Sequence, residues 1–128
     1  MIKRTISSIV SIVMIFSFIF CEEISRDEAL HVAKNLYLER NGEGNENQFI
    51  VKRMYSINEH ELKLIYVIDL SGDGFILVSA DDRIIPILGY SFESGYTERN
   101  MPPAFSETLE NYKEEIASTI KDQIPANN

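Results

Sequence analysis

The sequence predicts an α+β fold, in which a four-stranded antiparallel sheet is flanked by an N-terminal and a C-terminal helix. Two observations predict this class. Apolar residues recur at helical spacing near both ends of the chain, as on one face of a helix. Between the two helices, residues 49–92 change to short runs rich in β-branched and aromatic residues, which are separated by polar turns. No internal repeat or long linker divides the chain, so we expect one domain.

The N-terminal helix has both a start signal and a stop signal. Ser25, followed by Glu28, forms the S-x-x-E capping box. Arg40 suits the last turn, and Gly42 suits the left-handed position that ends many helices. The apolar stripe between these signals comprises Ala29, Val32, Ala33, Leu36 and Tyr37. Residues 42–48 are polar and predict a loop.

The strands follow this loop. The four predicted strands are residues 49–57, 62–70, 75–80 and 85–92, and the polar residues 58–61 and 71–74 suit turns. Pro86 lacks a backbone N–H, so we expect it near a strand end or at a sheet edge. Leu88 and Tyr90 alternate with Gly89, which predicts that they share one face of the sheet. Gly89 is expected where Tyr90 or a neighbouring backbone comes close.

A second amphipathic helix closes the domain. A loop is predicted at residues 93–100 and continues through 101–105. The helix is predicted at residues 106–123, and a frayed tail follows it. Its apolar positions are Phe105, Leu109, Tyr112, Ile116 and Ile120.

Residues 1–21 have the features of a secretory signal peptide, so the domain itself is expected at residues 22–128. Lys3 and Arg4 give a positive start, and residues 9–20 form an apolar core that is shorter than the roughly 20 residues of a membrane span. An uncleaved anchor is the alternative. Cys21 is either close to the cleavage point or the acylated cysteine of a lipoprotein. We therefore expect an exported protein, secreted or periplasmic, with membrane attachment only through a lipid on Cys21.

The net charge of the chain argues against nucleic acid as a partner. Residues 1–21 contain two basic residues and no acid, so their removal takes the formal net charge from −8 to −10. A chain this acidic repels phosphate backbones, which argues against nucleic-acid binding.

No cysteine follows Cys21, so the domain has no disulfide and no thiol nucleophile.

No constellation in the sequence predicts catalysis or metal binding. Asp69, Ser71, Asp73 and Gly74 match the first half of a calcium loop, but its twelfth position, which needs a carboxylate, is Ala80. The two histidines, His31 and His60, lack metal-ligand spacing. Asp81, Asp82 and Arg83 are interpreted as a solvated charged turn at a strand end. We therefore expect a binding protein without a metal or cofactor, and not an enzyme.

The segment "GFILVSADDRIIPILGYS", residues 74–91, resembles the hallmark of the propeptide and inhibitor domain of streptopain-type cysteine peptidases. The similarity continues through "NMPPAF" and "LENYKEEI", and the first helix "EALHVAKNLYLER" is also similar. The residues that carry the central motif are Gly74, Phe75, Ser79, Asp82, Arg83, Pro86, Leu88, Gly89, Tyr90 and Ser91.

The resemblance implies a function. Members of this family are either pro-parts of zymogens or separate inhibitors (Spi). Because the chain ends after the second helix and lacks the peptidase's cysteine and histidine motifs, we expect a free-standing inhibitor of a streptopain-type cysteine peptidase, monomeric when free. The alternatives are a propeptide-like folding helper that acts in trans and a lipid-anchored surface binding domain.

The resemblance also implies a contact site. In family members of known fold, the loop before the second helix enters the active site of the peptidase. The corresponding residues here are Met101, Pro102, Pro103, Ala104 and Phe105. Phe105 either points towards the peptidase or faces the core beneath its own helix.

Overall fold

The computed structural model describes residues 23–122. The predicted signal peptide at residues 1–21, with Cys21, and the predicted tail at residues 124–128 lie outside the described residues. The helices are α1, Arg26–Asn41, and α2, Pro103–Lys121, and the strands are β1, Val51–Glu59, β2, Leu62–Leu70, β3, Gly74–Ser79, and β4, Ile87–Ser91. This order confirms the predicted α+β class. Within residues 23–122, no helix is both long and apolar enough to cross a membrane.

Helix α1 begins at the predicted capping box. Ser25 Oγ accepts from the backbone N–H of Glu28 at 3.3 Å, and the Glu28 carboxylate accepts from the backbone N–H of Ser25 at 2.7 Å. At the other end, the N–H of Gly42 donates to the carbonyl of Leu38 at 2.8 Å. Gly42 has a positive φ of 93°, but its ψ of 142° is extended. The chain therefore leaves α1 in an extended direction and not through the left-handed turn that the sequence predicts.

The segment after α1 is more ordered than its polarity predicts. Glu43–Gln48 form a 3-10 helix with a kink at Asn45, where a loop was expected. The N–H of Asn45 donates to the Gly42 carbonyl at 3.1 Å, and its side-chain amide donates to the Asn41 carbonyl. Short-range bonds of this kind satisfy backbone groups locally, so these turns form without an apolar residue to bury.

The four strands form one antiparallel sheet, as predicted, and the strand order is β1-β2-β3-β4. Strands β2 and β3 are central and largely buried, whereas β1 and β4 are the edges. Strand β1 runs on to Glu59, and His60 and Glu61 both have positive φ, as a two-residue hairpin turn requires. Pro86 lies just before the edge strand β4, which confirms its predicted position.

The sheet has a core on each face. We call the side covered by α1 the N-terminal face and the side covered by α2 the C-terminal face. The buried residues of the N-terminal face are Ala29, Ala33, Met54, Tyr66, Ile68, Leu70, Ile76, Val78 and Ala80. Those of the C-terminal face are Leu64, Ile65, Val67, Phe75, Leu77, Ile84, Leu88, Tyr96, Leu109 and Ile116. Side chains alternate between the two faces along a regular strand because the strand period is two, and Leu64 departs from this alternation at a register shift between β1 and β2.

A bulge in β4 corrects the prediction that Leu88 and Tyr90 share a face. Leu77 pairs with Gly89 and Val78 with Ile87, so Leu88 is the extra residue of a register shift. A bulge of this kind breaks the alternation of side chains. Leu88 packs into the core of the C-terminal face, whereas Tyr90 pairs with Ile76 of the N-terminal face and is 40% exposed.

The expectation for Gly89 is also corrected. A Cβ atom added there would meet Phe105 Cε2 at 3.6 Å and Leu77 Cδ1 at 3.9 Å, which is ordinary side-chain contact. The close backbone approach occurs at Gly74, where a Cβ would lie 2.9 Å from the carbonyl oxygen of Ser91. Gly74 is therefore the motif glycine that strand pairing requires.

The sequence predicts a solvated charged turn after β3, but the structure buries part of this turn. Asp81 is buried, and its carboxylate accepts from the backbone N–H of Arg83 at 3.0 Å, from Nε at 2.8 Å and from Nη2 at 2.6 Å. The hydrogen bonds from Arg83 lower the pKa of Asp81, although burial opposes them. The backbone of Asp81 also forms an isolated antiparallel β-bridge with Glu23, and the Ile24 N–H donates to the Ala80 carbonyl at 3.0 Å. The turn therefore anchors the chain that leads into α1.

Candidate functional site

A groove opens between β4, the loop that follows it and the start of α2. We call it the aromatic groove, and its volume is about 400 Å³. Its principal walls are the side chains of Phe75, Tyr96, Met101 and Phe105, and Tyr90 also lines it. The rings of Tyr96 and Phe105 both meet the ring of Phe75 edge-on, with centroid distances of 5.5 and 6.3 Å. Edge-on ring pairs contribute about 0.5–1.5 kcal/mol beyond the burial of their area, so these contacts stabilise the walls.

The segment predicted as the contact loop lies at one end of the aromatic groove, but most of it is not loop. Helix α2 begins at Pro103, so Pro103, Ala104 and Phe105 form its first turn. Proline signals a loop in sequence, yet its fixed φ and missing N–H also suit the first turn of a helix. The loop prediction is therefore wrong for these three residues and holds for Met101 and Pro102.

Exposure divides this segment into two parts. Pro102, Pro103 and Ala104 are exposed, and we call residues 102–104 the tip. Met101 and Phe105 are half-buried and pack against the core of the C-terminal face. Of the two orientations left open for Phe105, the structure has the one that faces the core beneath its own helix. Met101 and Phe105 therefore support the tip from below.

The loop before the tip is held by its own side chains. Ser91 Oγ accepts from the backbone N–H of Glu93 at 3.2 Å and from that of Ser94 at 3.3 Å. Thr97 Oγ1 accepts from the N–H of Arg99 at 3.1 Å. Asn100 has a positive φ of 57°, a conformation that asparagine tolerates better than most residues. Local bonds thus fix the approach of the chain to the tip.

Tyr96 is a site residue that the sequence analysis missed. It is 8% exposed, although it lies in a polar loop, and it lines the aromatic groove. Its hydroxyl is buried and has no hydrogen-bond partner among the described residues; the same holds for Asp69 Oδ1. Burial raises the pKa of Tyr96 to about 12, and the nearby carboxylates Glu98, Glu110 and Asp69 act in the same direction. The one signal in the sequence for a buried residue here is that Tyr96 is the single aromatic residue in the polar segment 93–100.

The family motif divides between two places. Phe75, Gly89, Tyr90 and Ser91 come together at the aromatic groove or directly beneath Phe105, and Leu88 packs into the adjoining core. At the opposite end of β3, Ser79 is buried and accepts from the Asp81 N–H at 3.2 Å, next to the pair of Asp81 and Arg83. The exposed Asp82 and Pro86 lie in the connection to β4. Five of the ten motif residues thus lie at or beside the groove, four lie at the connection from β3 to β4, and Gly74 begins β3.

The predicted calcium-like segment is a hairpin turn in the structure. Residues 71–73 connect β2 to β3, and Asp73 has a positive φ of 56°. His31 and His60 are both exposed. Among residues 23–122, no three His, Cys, Asp or Glu side chains are grouped so that they could hold a metal ion.

A second hollow, of about 640 Å³, lies beside the chain that leads into α1. It is larger than the aromatic groove and more polar. Two of its charged groups bind each other: Lys63 pairs with Glu23 at 2.7 Å and lies 5.3 Å from the ring centre of Tyr66. The hydroxyl of Tyr66 donates to the Ile24 carbonyl at 2.7 Å. We therefore interpret this hollow as part of the anchor of α1. The aromatic groove with the tip is the better candidate for binding a partner.

Comparison with known proteins bears on the whole domain. A family model described as Spi protease inhibitor matches residues 21–116, which include α1, the sheet and most of α2. The chain is 28% identical over 100 residues to the thiol protease/hemagglutinin PrtT of Porphyromonas gingivalis. That match covers 76% of this chain but 12% of the length of the relative. No solved structure matches the chain.

Proposed function

Because the chain belongs to the Spi protease inhibitor family, we propose that it is an exported inhibitor of a streptopain-type cysteine peptidase, and that the tip contacts the active-site cleft. The observation that carries this proposal is the family match, which spans both the sheet and the start of α2. The similarity to part of a thiol protease supports a cysteine peptidase as the target. No step of this function requires a catalytic group on the inhibitor.

The geometry of the tip suits such a contact. Two prolines restrict its backbone, so less conformational entropy is lost when it docks. The first turn of α2 and the rings of Phe75 and Phe105 hold it from below. A group held on a rigid element binds more precisely than one on a mobile loop. Ala104 is the least bulky exposed side chain of the tip, so a close approach at that point would leave little room for a larger residue.

The acidic charge of the chain affects the rate of association. Without residues 1–21 the formal net charge is −10, and this charge would steer the inhibitor towards a basic cleft rim. Association should then slow as the salt concentration rises, since salt screens charges over about 10 Å at 0.1 M.

The test is inhibition of a streptopain-type peptidase, measured with a fluorogenic peptide substrate. The parent domain, residues 22–128, should inhibit reversibly, and Ala104→Arg should weaken inhibition at least about tenfold. Ser118→Arg is the matched control, because it places the same side chain on an exposed position of α2, about 20 Å along the helix. Equal inhibition by Ala104→Arg and Ser118→Arg would exclude the tip as the contact.

The second candidate is a folding helper that acts in trans, and the similarity to one part of a longer thiol protease favours it. The two functions differ in one measurement. A folding helper raises the yield of active peptidase recovered from denaturant when it is present during refolding, whereas an inhibitor alone does not.

A further inference from the structure

The tip is an exposed segment, and exposed segments between elements are where peptidases cut most readily. An inhibitor that presents such a segment to an active-site cleft has to keep it from being cut as a substrate. The backbone of residues 100–106 differs in conformation from bond to bond. These differences decide which of its peptide bonds a peptidase can use.

The bonds on the C-terminal side of the tip are protected by helix α2. The backbone N–H of Ser106 donates to the Pro102 carbonyl at 3.0 Å, and this bond closes the first turn of the helix. Thr108 Oγ1 donates to the Ala104 carbonyl at 2.8 Å. A cleft that binds extended peptides cannot use helical backbone until the helix unwinds. The bonds that follow the Pro102 carbonyl are therefore not presented as a substrate.

The bond on the N-terminal side of the tip follows a tight turn. Asn100 has a φ of 57°, which is in the left-handed region and not in the extended one. Thr97 Oγ1 accepts from the N–H of Arg99 at 3.1 Å and holds the turn just before it. The bond between Asn100 and Met101 is therefore also unlike a substrate.

The bond between Met101 and Pro102 is different, because its backbone is extended. Pro102 has a φ of −55° and a ψ of 136°. Met101 is restricted to extended backbone as well, since the ring of a following proline disfavours the helical region. Among residues 23–122, no backbone N–H donates to the Met101 carbonyl. Within the segment 100–106, this bond is thus the one with the geometry of a substrate.

We propose that the peptidase meets the Met101–Pro102 bond as it meets a substrate, and that the ring of Pro102 prevents cleavage. Pro102 is then the residue that makes this chain an inhibitor and not a substrate. The inference rests on the proposed function and deepens it, because it names the bond that lies in the cleft and the residue that protects it.

The chemistry of cleavage explains the role of the ring. In a cysteine peptidase the thiolate adds to the carbonyl carbon, the C–N bond breaks, and the leaving nitrogen takes a proton from the histidine. Water then hydrolyses the thioester and returns the thiol. The nitrogen of Pro102 carries a ring carbon in place of hydrogen, so it adds bulk at the leaving group and lacks the N–H that would align the bond in the cleft.

The neighbouring side chains keep any other bond from taking the place of this one. Met101 and Phe105 are half-buried and pack against the core of the C-terminal face. Unwinding the first turn of α2 would expose these apolar side chains to water. Proteolysis of a folded segment depends on the population of its open form, and this packing keeps that population low.

Two proline variants test the assignment of the bond. Pro102→Ala restores an N–H at the extended bond. Pro103→Ala is the matched control, because it makes the same change one residue later, in the first turn of α2, where alanine is well tolerated. With excess active streptopain-type peptidase, mass spectrometry should show Pro102→Ala cut after Met101, with one water added across the two products. The parent and Pro103→Ala should stay intact at least about tenfold longer.

A third variant separates the chemistry of the bond from the stability of the helix. Pro102 is the N-cap of α2 and makes no side-chain capping bond. Pro102→Ser restores the N–H and also supplies a favoured capping side chain, so it does not weaken the start of the helix. It should be cut after Met101 as Pro102→Ala is. If Pro102→Ser stays intact while Pro102→Ala is cut, fraying of α2 controls cleavage and the ring does not.

Inhibition followed against time gives a second readout. Just after mixing, Pro102→Ala should inhibit within about fivefold of the parent, because the loss of one proline restriction changes docking only modestly. Its inhibition should then decay as the chain is cut, whereas inhibition by the parent and by Pro103→Ala should persist. A variant that only docks less well would be weaker from the start and constant in time.

The outcomes separate the inference from the function on which it rests. If Pro102→Ala inhibits and stays intact as long as the parent, the ring does not protect the tip, and the inference fails while the function stands. If the parent is itself cut after Met101, the inference fails as well. Cuts of Pro103→Ala within the first turn of α2 would show that the helix unwinds in the cleft and that the bond is wrongly assigned. If the parent inhibits no such peptidase, the function and the inference both fail. Circular dichroism of each variant checks that the fold is retained.

Discussion

The two faces of the sheet are completed in different ways. On the N-terminal face, α1 lies close to the strands through Ala29 and Ala33, both 0% exposed. The polar groups at its anchor have partners, including the Tyr66 hydroxyl and the Asp81 carboxylate. On the C-terminal face, two buried polar atoms have no partner among the described residues, and the aromatic groove remains open beside the start of α2.

This difference separates what holds the fold together from what is available for recognition. A buried polar atom without a partner costs about 1–3 kcal/mol, so native proteins rarely keep one without a reason. Both of these atoms, the Tyr96 hydroxyl and Asp69 Oδ1, belong to the face that carries the groove and the tip. Departures from ideal packing tend to gather at functional sites. The N-terminal face stabilises the domain, and the C-terminal face combines stability with the proposed binding surface.

The largest expected effect comes from breaking the C-terminal core. Ile116 of α2 is 0% exposed, so Ile116→Ala should lower the free energy of unfolding by about 2–5 kcal/mol, through lost burial and the cavity left behind. Ile85→Ala is the control, because Ile85 is 58% exposed and its truncation should cost less than about 0.5 kcal/mol. Urea denaturation followed by circular dichroism measures both. A cost below about 1 kcal/mol at Ile116 would mean that α2 is only loosely docked.

The sequence predicts the parts of each face that local signals determine. Residue type and spacing predict the capping box at Ser25, the four-stranded sheet and its hairpins, and the structure confirms them. The features that depend on tertiary packing could not be read in the same way. The bulge at Leu88 depends on strand register, and the start of α2 at Pro103 was hidden because proline signals both loops and first helical turns. The burial of Tyr96 depends on a ring contact with Phe75, far away in sequence.

An intermediate effect is expected at the anchor of α1. Asp81→Asn removes a buried carboxylate that accepts three hydrogen bonds from Arg83, and it should lower the free energy of unfolding at pH 7 by about 1–3 kcal/mol. The pKa of Asp81 is lowered in the folded state, first by these hydrogen bonds. Its contribution is therefore present above the unfolded pKa of about 3.9 and is lost as the pH falls through the folded pKa.

The pH dependence separates this contribution from a general loss of packing. The difference in stability between the parent and Asp81→Asn should be constant near neutral pH and shrink below about pH 4. Asp73→Asn makes the same change at an exposed turn residue, where asparagine tolerates the positive φ of 56°. Denaturation curves between about pH 2 and 7 measure the difference. If the difference in the free energy of unfolding between the parent and Asp81→Asn stays constant through that range, ionisation of Asp81 does not stabilise the fold.

The smallest effect is the sharpest test of the comparison, because the same change is made on both faces. Tyr66→Phe removes a hydroxyl that donates to the Ile24 carbonyl at 2.7 Å, and the loss of this bond should cost about 0.5–1.5 kcal/mol. Tyr96→Phe removes a buried hydroxyl that has no partner among residues 23–122, so the free energy of unfolding should stay the same or rise by up to about 1 kcal/mol. Both rings keep their packing, since only the oxygen is removed. Because the charge of the aromatic groove is unchanged, Tyr96→Phe should also inhibit the peptidase as well as the parent does. If Tyr96→Phe proves as costly as Tyr66→Phe, the Tyr96 hydroxyl has a partner in solution, and the two faces are equally complete.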